Sequence, residues 1–227
     1  MPFVSKSTGV PLAKIAARIM AGEKLADLHL PADDREFDYF CVKEAVMPFG
    51  RFPGSDVVLG PEMKSTGEVM GIAGNFPAAF TKTQLAIDYE PPRGGEVFIS
   101  VNDGDKRNIT AIARSIARLG FSLVATTGTA RALRASGIEC EEVGKIHAGS
   151  HTILDRIASG EIVLMINTPF GSSTNTDGYE MRAACVRHGV SYCTTLAGAQ
   201  ALIAGMEAVR ETGLDVIALQ DLPQWEG

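Results

Sequence analysis

The sequence lacks an excess of positive charge, paired cysteines and any long apolar run, and each absence excludes a class of protein. The formal net charge of −6 argues against a general nucleic-acid binder, which needs a basic face to neutralise phosphates. Four scattered cysteines without a C-x-x-C pair exclude common zinc and thioredoxin motifs and are typical of reduced thiols. No run is long enough to cross a bilayer, and no secretory signal is recognisable. We therefore expect a cytoplasmic protein without membrane or nucleic-acid partners.

The composition and one proline- and glycine-rich segment predict a folded chain with two units. Of the 227 residues, 45% are hydrophobic and 21% are charged, which is ordinary for a globular protein with a real core. The segment YEPPRGG, at residues 89–95, combines a proline pair with a glycine pair, as linkers between domains often do. We predict a first unit at residues 1–89, a linker at 90–95 and a second unit at 96–227.

The first unit has mixed helix and strand signals. Pro11 suits the first turn of a helix whose apolar residues recur at helical spacing until Gly22. The segment FDYFCVKEAVMPF is rich in aromatic and β-branched residues, which predicts a strand ending near Pro48. A glycine-rich stretch predicts turns and short strands, and residues 76–86 return to a helical pattern.

The second unit alternates apolar strands with helices, which predicts the α/β class with a parallel sheet covered on both faces. The most apolar run, at residues 162–166, is expected to be a central strand, and residues 216–219 a final edge strand. Ligands of such sheets bind at the carboxyl ends of the strands. Strands are predicted at 97–99, 123–125, 138–143, 162–166, 190–193 and 216–219, and helices at 109–119, 126–137, 181–188 and 196–211.

The loops after four of these strands carry groups suited to an anion. A strand turns into a helix at TTGT, where free backbone N–H groups and hydroxyls favour a phosphate, and two lysines on neighbouring loops supply positive charge. The sequence therefore predicts a pocket for a nucleotide or a small phosphorylated metabolite. Its candidate residues are Ser100, Lys106, Thr126, Thr127, Thr129, Lys145, Asn167 and Thr168.

Simpler interpretations stay open for four of these residues. Thr126 or Thr127 suits a helix cap equally well, and Lys106 and Lys145 suit a solvated surface. The dinucleotide fingerprint G-x-G-x-x-G is absent. Only convergence of the four loops on one sheet edge favours the anion pocket over these alternatives.

Two histidines and an aspartate are spaced like metal ligands on a helix. His147, His151 and Asp155 follow one another at intervals of four, which would align them on one helical face. Gly149 and Ser150 interrupt that pattern, however, so we expect the helix to begin only there, with Ser150 as its N-cap. No metal site is predicted.

Several long motifs resemble carbamoyl-phosphate synthase large subunits. PFVSKSTGVPLAKIAARIMAG, VKEAVMPFGRFPG and LGPEMKSTGEVMG are similar, in the same order, to the end of the second ATP-grasp half in that family. From about Glu96 onward, SVNDGDK, ATTGTA and MINTP resemble its methylglyoxal-synthase-like regulatory domain. The resemblance implies a three-layer parallel-sheet regulatory domain preceded by an α+β remnant of an ATP-grasp domain.

The resemblance also implies a function. The family makes carbamoyl phosphate for pyrimidine and arginine synthesis, and nucleotides such as UMP and IMP bind its regulatory domain. Its ATP- and magnesium-binding residues lie upstream of the matched segments, so no cofactor and no complete active site are expected in this chain. Expected partners are the rest of the large subunit, the glutamine-hydrolysing small subunit and a second copy of the chain. The effector contacts carried over are Ser100, Lys106, Thr126, Thr129, Lys145 and Asn167, and the ornithine contacts are Glu44 and Thr194. Glu44 suits an ordinary carboxylate on a strand surface equally well.

Pro169 departs from the family pattern, because N-T-T-S-G reads N-T-P-F-G here, with one hydroxyl and one backbone donor fewer. An alternative function is a free-standing methylglyoxal synthase acting on dihydroxyacetone phosphate. That reaction needs a carboxylate base and an acid. Ser150 stands where that family has its aspartate, and PFGSSTNTDGYE lacks the expected histidine. The residues therefore favour the regulatory domain.

Overall fold

The amino-terminal unit is a small α+β assembly. The protein is represented by a computed structural model, which describes residues 2–31, 36–51, 57–58, 63–144, 152–169 and 176–222. No helix in these ranges is both long and apolar enough to cross a membrane. Strands β1 and β2 pair antiparallel and helix α3 packs on them. The elements are α1 (Pro2–Thr8), α2 (Leu12–Met20), β1 (Phe40–Val46), β2 (Gly67–Ala73) and α3 (Phe76–Ala86).

The carboxy-terminal unit is a five-stranded parallel sheet in the order β5-β4-β3-β6-β7. The predicted α/β class is thus confirmed, and the apolar strand β6 lies inside the sheet as predicted, between β3 and β7. Its elements are β3 (Glu96–Ser100), α4 (Ile109–Arg118), β4 (Ser122–Thr126), α5 (Thr127–Ala135), β5 (Glu141–Val143), α6 (Ile153–Ala158), β6 (Ile162–Asn167), α7 (Thr176–His188), β7 (Ser191–Cys193) and α8 (Leu196–Thr212).

Two apolar layers cover this sheet, one on each face. Because successive side chains of a strand point to opposite faces, Ile99 packs in one layer and its neighbour Phe98 in the other. Helices α4, α5 and α8 close the first layer, while α6 and α7 close the second. Burial on both faces explains why these strands are continuous apolar runs and why the unit has three layers.

Short polar side chains fix where several helices begin. The Asn75 side chain accepts a hydrogen bond from the Ala78 N–H at 2.9 Å, which starts α3 where the sequence predicted it. Thr152 caps α6 and forms a reciprocal capping box with Asp155. The prediction that Ser150 caps this helix was therefore wrong, because a threonine with an acidic residue three positions later offers two capping bonds.

The predicted edge strand at residues 216–219 does not form. The segment after α8 crosses to the amino-terminal unit, where Leu214 packs on a small alanine cluster and Asp215 pairs with Lys82 at 3.0 Å. The sheet therefore ends at β7. The apolar residues that resemble a strand, such as Val216, are instead in irregular structure, followed by a short 3-10 helix at Leu219–Asp221.

The two units meet mainly through helices α3 and α8. A Cβ atom added to Gly205 would lie 2.3 Å from the Thr81 Oγ1, so the glycine permits a close approach of the two helices. Thr81 is itself buried, and its hydroxyl donates to the Pro77 carbonyl at 2.9 Å. This contact connects the amino-terminal unit to the sheet unit.

Candidate functional site

The carboxyl ends of three neighbouring strands bring the predicted hydroxyl groups together. Ser100 ends β3 and is paired in register with Asn167 at the end of β6, while Thr126 ends β4 on the other side. The Thr126 Oγ1 lies 3.4 Å from the Ser100 Oγ and 3.3 Å from the Thr129 Oγ1. We call these three residues the hydroxyl cluster. Its geometry follows from the parallel order of the strands.

Thr126 stands at the N-cap of α5 without capping the helix through its side chain. Its hydroxyl instead belongs to the hydroxyl cluster, while Thr127 is exposed at the first helical position. The first backbone N–H groups of a helix have no partner within the helix, and they carry partial positive charge. The start of α5 therefore offers donors that a simple threonine cap would have occupied.

Lys106 brings a positive charge to this helix start. A Cβ atom added to Gly128 would lie 2.8 Å from the Lys106 Nζ, so the ammonium group lies directly over the first turn of α5. Asp103 pairs with the same ammonium group. The Asp103 side chain is highly exposed and that of Lys106 is partly exposed. Such an exposed pair is weak, so an incoming anion can reach the ammonium group and replace Asp103.

Asn102 ties the loops after β3 and β6 to each other. Its backbone N–H donates to the Thr168 Oγ1 at 3.0 Å, and its side-chain Nδ2 donates to the same oxygen at 3.1 Å. The side chain also accepts from the Asp105 N–H and donates to the Asp105 carboxylate. Thr168 is thus buried in a structural network, in which its oxygen accepts two hydrogen bonds.

Asn167 is buried beside a buried charge. Its Nδ2 donates to the Ser100 carbonyl at 3.2 Å, and its Oδ1 accepts from the Arg182 Nη1 at 2.9 Å. Both side chains are almost fully buried, with 6% and 4% of their surface exposed. Sequence analysis missed Arg182 and assigned no role to Asn102. The signal for Arg182 was a charged residue on the same helical face as Met181 and Cys185.

Three predicted residues cannot be compared with this geometry. Lys145, His147 and His151 lie outside the described residues. Asp155, the third residue of the metal-like spacing, is described, and its Oδ2 accepts 2.8 Å hydrogen bonds from the backbone N–H and the hydroxyl of Thr152. Its carboxylate is therefore part of a helix cap.

A second group of polar residues lines a cavity of about 630 Å³ between the two units, and it includes both Glu44 and Thr194. The Glu44 Oε2 accepts from the Thr83 hydroxyl at 2.7 Å and from the Gln84 Nε2 at 2.5 Å. Thr83 and Gln84 are buried on α3, which fixes the carboxylate at the cavity wall. Sequence analysis did not identify these two supporting residues, because they lie about 40 residues away in the chain.

Two acidic groups line this cavity, and burial raises the pKa of each. Burial raises the pKa of the Cys193 thiol to about 12, and the negative charge of Glu44 adds to the rise. Burial likewise raises the pKa of Tyr89 to about 12. Glu44 therefore shares the cavity with an un-ionised thiol and an un-ionised phenol at neutral pH, an arrangement that suits a bound cation.

Comparisons with known proteins find relatives over nearly the whole chain. Residues 108–194 match the family model described as an MGS-like domain. The carbamoyl phosphate synthase large chain of Myxococcus xanthus is 47% identical over 97% of this chain and 20% of its own length. That of Methanothermobacter thermautotrophicus is 48% identical over 100% of this chain and 21% of its own length. Over nearly its whole length, the chain is therefore similar to carbamoyl phosphate synthase large chains.

The matched region is the carboxy-terminal part of that large chain. A protein of Methanopyrus kandleri, described as the carbamoyl phosphate synthase large chain, C-terminal section, is 49% identical over 98% of this chain and 42% of its own length. The chain thus spans about a fifth of the two large chains above and less than half of this section. The recognition of the family from sequence motifs is confirmed, as is the methylglyoxal-synthase-like fold class.

Proposed function

We propose that this chain is a regulatory portion of carbamoyl phosphate synthase that binds a nucleotide effector of the UMP or IMP type. In this proposal, the bound effector adjusts carbamoyl phosphate synthesis for the pyrimidine and arginine pathways. The observation that carries the proposal is the convergence of the hydroxyl cluster, the start of α5 and Lys106 at one sheet edge.

The phosphate of the nucleotide would bind at the start of α5. Unpaired N–H groups at the start of α5 and the nearby hydroxyls are donors suited to phosphate oxygens. The Lys106 ammonium group would exchange its exposed partner Asp103 for the phosphate, so little favourable pairing is lost on binding. Hydrogen bonds to a charged group contribute about 1.5–3 kcal/mol each, enough for a few of them to hold a small anion.

Regulation requires that effector binding favour one conformation of the complete enzyme. The close contact between α8 and α3 supports a mechanical connection, because it links the sheet unit to the amino-terminal unit at Gly205 and Thr81. We propose that the remainder of the large subunit, which would bind ATP and magnesium, and the glutamine-hydrolysing small subunit respond to this connection. Self-association of the chain would be a further contact of the same assembly.

Calorimetric titration of the chain with UMP and with IMP tests the proposal. We expect saturable binding of at least one nucleotide, and weaker binding after Lys106→Ala. Lys24→Ala is the matched control, because Lys24 is an exposed lysine on the amino-terminal unit. Uridine and inosine, which lack the phosphate, should bind weakly. Absence of binding by UMP, IMP and related nucleotides, or formation of methylglyoxal from dihydroxyacetone phosphate, would contradict the proposal.

We also propose that the cavity between the units binds ornithine. The support is the shared position of Glu44 and Thr194 on its wall, with Thr83 and Gln84 holding the Glu44 carboxylate. A fixed carboxylate with neutral neighbours suits the ammonium group of an amino acid side chain.

Titration with ornithine tests this second site independently of the nucleotides. Glu44→Gln should weaken ornithine binding by about tenfold or more, since it removes a charge-assisted hydrogen bond. Glu68→Gln is the control on the neighbouring strand, where Glu68 is exposed and pairs with Lys43. Equal ornithine binding by wild type and Glu44→Gln would exclude the proposed role of Glu44.

A further inference from the structure

Arg182 is a charged residue buried at the edge of the candidate anion site. It lies on α7, where the apolar residues of the same face pack against the sheet, and only 4% of its surface is exposed. Its Nη1 donates to the Asn167 Oδ1 at 2.9 Å. A buried guanidinium is costly unless it is well hydrogen-bonded, so this residue must have a definite partner.

The contact determines which way the Asn167 amide points. A guanidinium has only donors, so it requires the Oδ1 of Asn167 on its side. The Ser100 carbonyl on the other side has only acceptor capacity, so it requires the Nδ2. Rotating the amide by half a turn would set donor against donor and acceptor against acceptor. The two partners therefore allow one orientation.

One donor of Asn167 stays available in that orientation. The Nδ2 carries two hydrogens, and among the described residues only the Ser100 carbonyl accepts one of them. Ser100 also carries one hydroxyl of the hydroxyl cluster, so the remaining hydrogen lies at the same sheet edge as the proposed anion site. A fixed donor at this edge favours an acceptor oxygen on the ligand.

Gly178 leaves the space that this contact needs. A Cβ atom added to Gly178 would lie 2.9 Å from the Arg182 Nη1 and 3.5 Å from the Asn167 Oδ1. Any larger side chain at position 178 would therefore press on the guanidinium and the amide together. The glycine, the arginine and the asparagine form one packed unit.

We propose that Arg182 is a positioning residue that holds the Asn167 amide with its nitrogen toward the effector, so that the site selects a phosphate or sugar oxygen. This inference rests on the proposed nucleotide site. Arg182 acts through Asn167 and adds a buried positive charge that favours an anion. It needs no direct contact with the ligand.

Two measurements on the full chain test the inference. The first is the NMR signal of the Asn167 side-chain amide, identified by its loss in Asn167→Asp, and its rate of hydrogen exchange. The second is calorimetric binding of UMP and IMP. Arg182→Met removes the donors with little change in length, and Arg187→Met is the matched control, an exposed arginine on the same helix.

We expect Arg182→Met to speed exchange of the Asn167 amide and to weaken nucleotide binding by about tenfold to a hundredfold, the effect of one charge-assisted hydrogen bond. Asn167→Asp keeps the acceptor for Arg182 but replaces the ligand-facing donor, so it should fold and bind poorly. Arg187→Met should match wild type in both measurements. If Arg182→Met does not fold, Gly178→Ala displaces only the flexible end of the guanidinium and should give the same changes.

The outcomes separate the two proposals. Failure of the wild-type chain to bind either nucleotide would overturn the effector site, while the NMR measurement would still decide whether Arg182 fixes Asn167. Unchanged amide exchange in Arg182→Met, or in Gly178→Ala where the first does not fold, would overturn the positioning role. Faster exchange with unchanged nucleotide binding would also overturn it, because Asn167 would then have no part in recognition.

Discussion

The two units of this chain differ in how much core each possesses. The sheet unit has two extensive apolar layers, one on each face. Among its described residues, the amino-terminal unit has two small clusters, one around Ile15 and one made of alanines, and it exposes large residues such as Met20 and Leu25. The larger core predicts that the sheet unit is the more stable of the two, and that the amino-terminal unit is stabilised by the contact of α3 with α8.

The largest expected effect is the loss of unfolding free energy when one buried leucine in each unit is replaced by alanine. Leu164 is fully buried in the sheet and Leu28 is 3% exposed in the smaller cluster. We expect Leu164→Ala to lower the free energy of unfolding by about 4 kcal/mol and Leu28→Ala by about 2 kcal/mol, because fewer neighbours surround the second cavity. Urea denaturation monitored by circular dichroism measures both. Equal losses would remove the proposed difference between the units.

A buried charge in the sheet unit should matter nearly as much. Arg156 is 6% exposed and pairs with Glu96 at 2.6 Å and Glu141 at 2.7 Å. Arg156→Met should cost about 3 kcal/mol of unfolding free energy, since it removes the buried guanidinium that pairs with both carboxylates. The exposed Lys43–Glu68 pair of the amino-terminal unit is the control, and Lys43→Met should leave the denaturation midpoint unchanged. A comparable shift in both variants would contradict the account.

Disturbing the contact between α3 and α8 should lower the free energy of unfolding by a smaller amount. Gly205→Ala places a Cβ atom 2.3 Å from the Thr81 Oγ1 and should cost about 1–2 kcal/mol, although alanine is the better helix former. Hydrogen exchange should accelerate in α3 and not in β3. Adding Thr81→Ala relieves the clash and should recover part of the loss. Slower exchange in α3 after Gly205→Ala would show that the units do not depend on this contact.

The smallest effect is a loss of stability at alkaline pH. The Cys193 thiol has a pKa of about 12 in the folded chain, whereas in the unfolded chain it ionises near 9. Folding then favours the protonated form, so its contribution is complete below pH 9 and is lost as the pH rises toward 12. Cys193→Ser should flatten the alkaline limb of unfolding free energy against pH.

Cys140→Ser is the control for this prediction. The nearby positive charge of Arg134 opposes the rise in pKa that burial gives Cys140, so its replacement should flatten the curve less. Identical curves for wild type and Cys193→Ser would contradict the assigned environment of the thiol.

The spacing of apolar residues predicted most helices and strands, because it depends only on neighbouring residues in the chain. The apolar strands and the helix at Phe76–Ala86 were found this way, and the parallel order then brought Ser100, Thr126 and Thr129 together as predicted. The segment around Val216 was misjudged, since its β-branched residues favour a strand while contacts with the distant amino-terminal unit decide its path.

Long-range pairing explains what the sequence could not reveal about the sites. The contact of Arg182 with Asn167 and that of Thr83 with Glu44 join residues 15 and 39 positions apart. Such contacts depend on how helices pack on strands, and no local spacing encodes them. The motifs therefore identified the residues at strand ends, and only the structure identified the residues that orient them.

We propose that the carboxyl edge of the sheet, and not the opposite edge, holds the effector. The opposite edge has its own cavity of about 850 Å³, with Arg114 and Arg118 on its wall. Hydrogen exchange of the chain with and without saturating UMP or IMP distinguishes the two edges directly. The account predicts protection at residues 100–106, 126–130 and 166–168. Protection confined to residues 114–122 and 137–141 would contradict it.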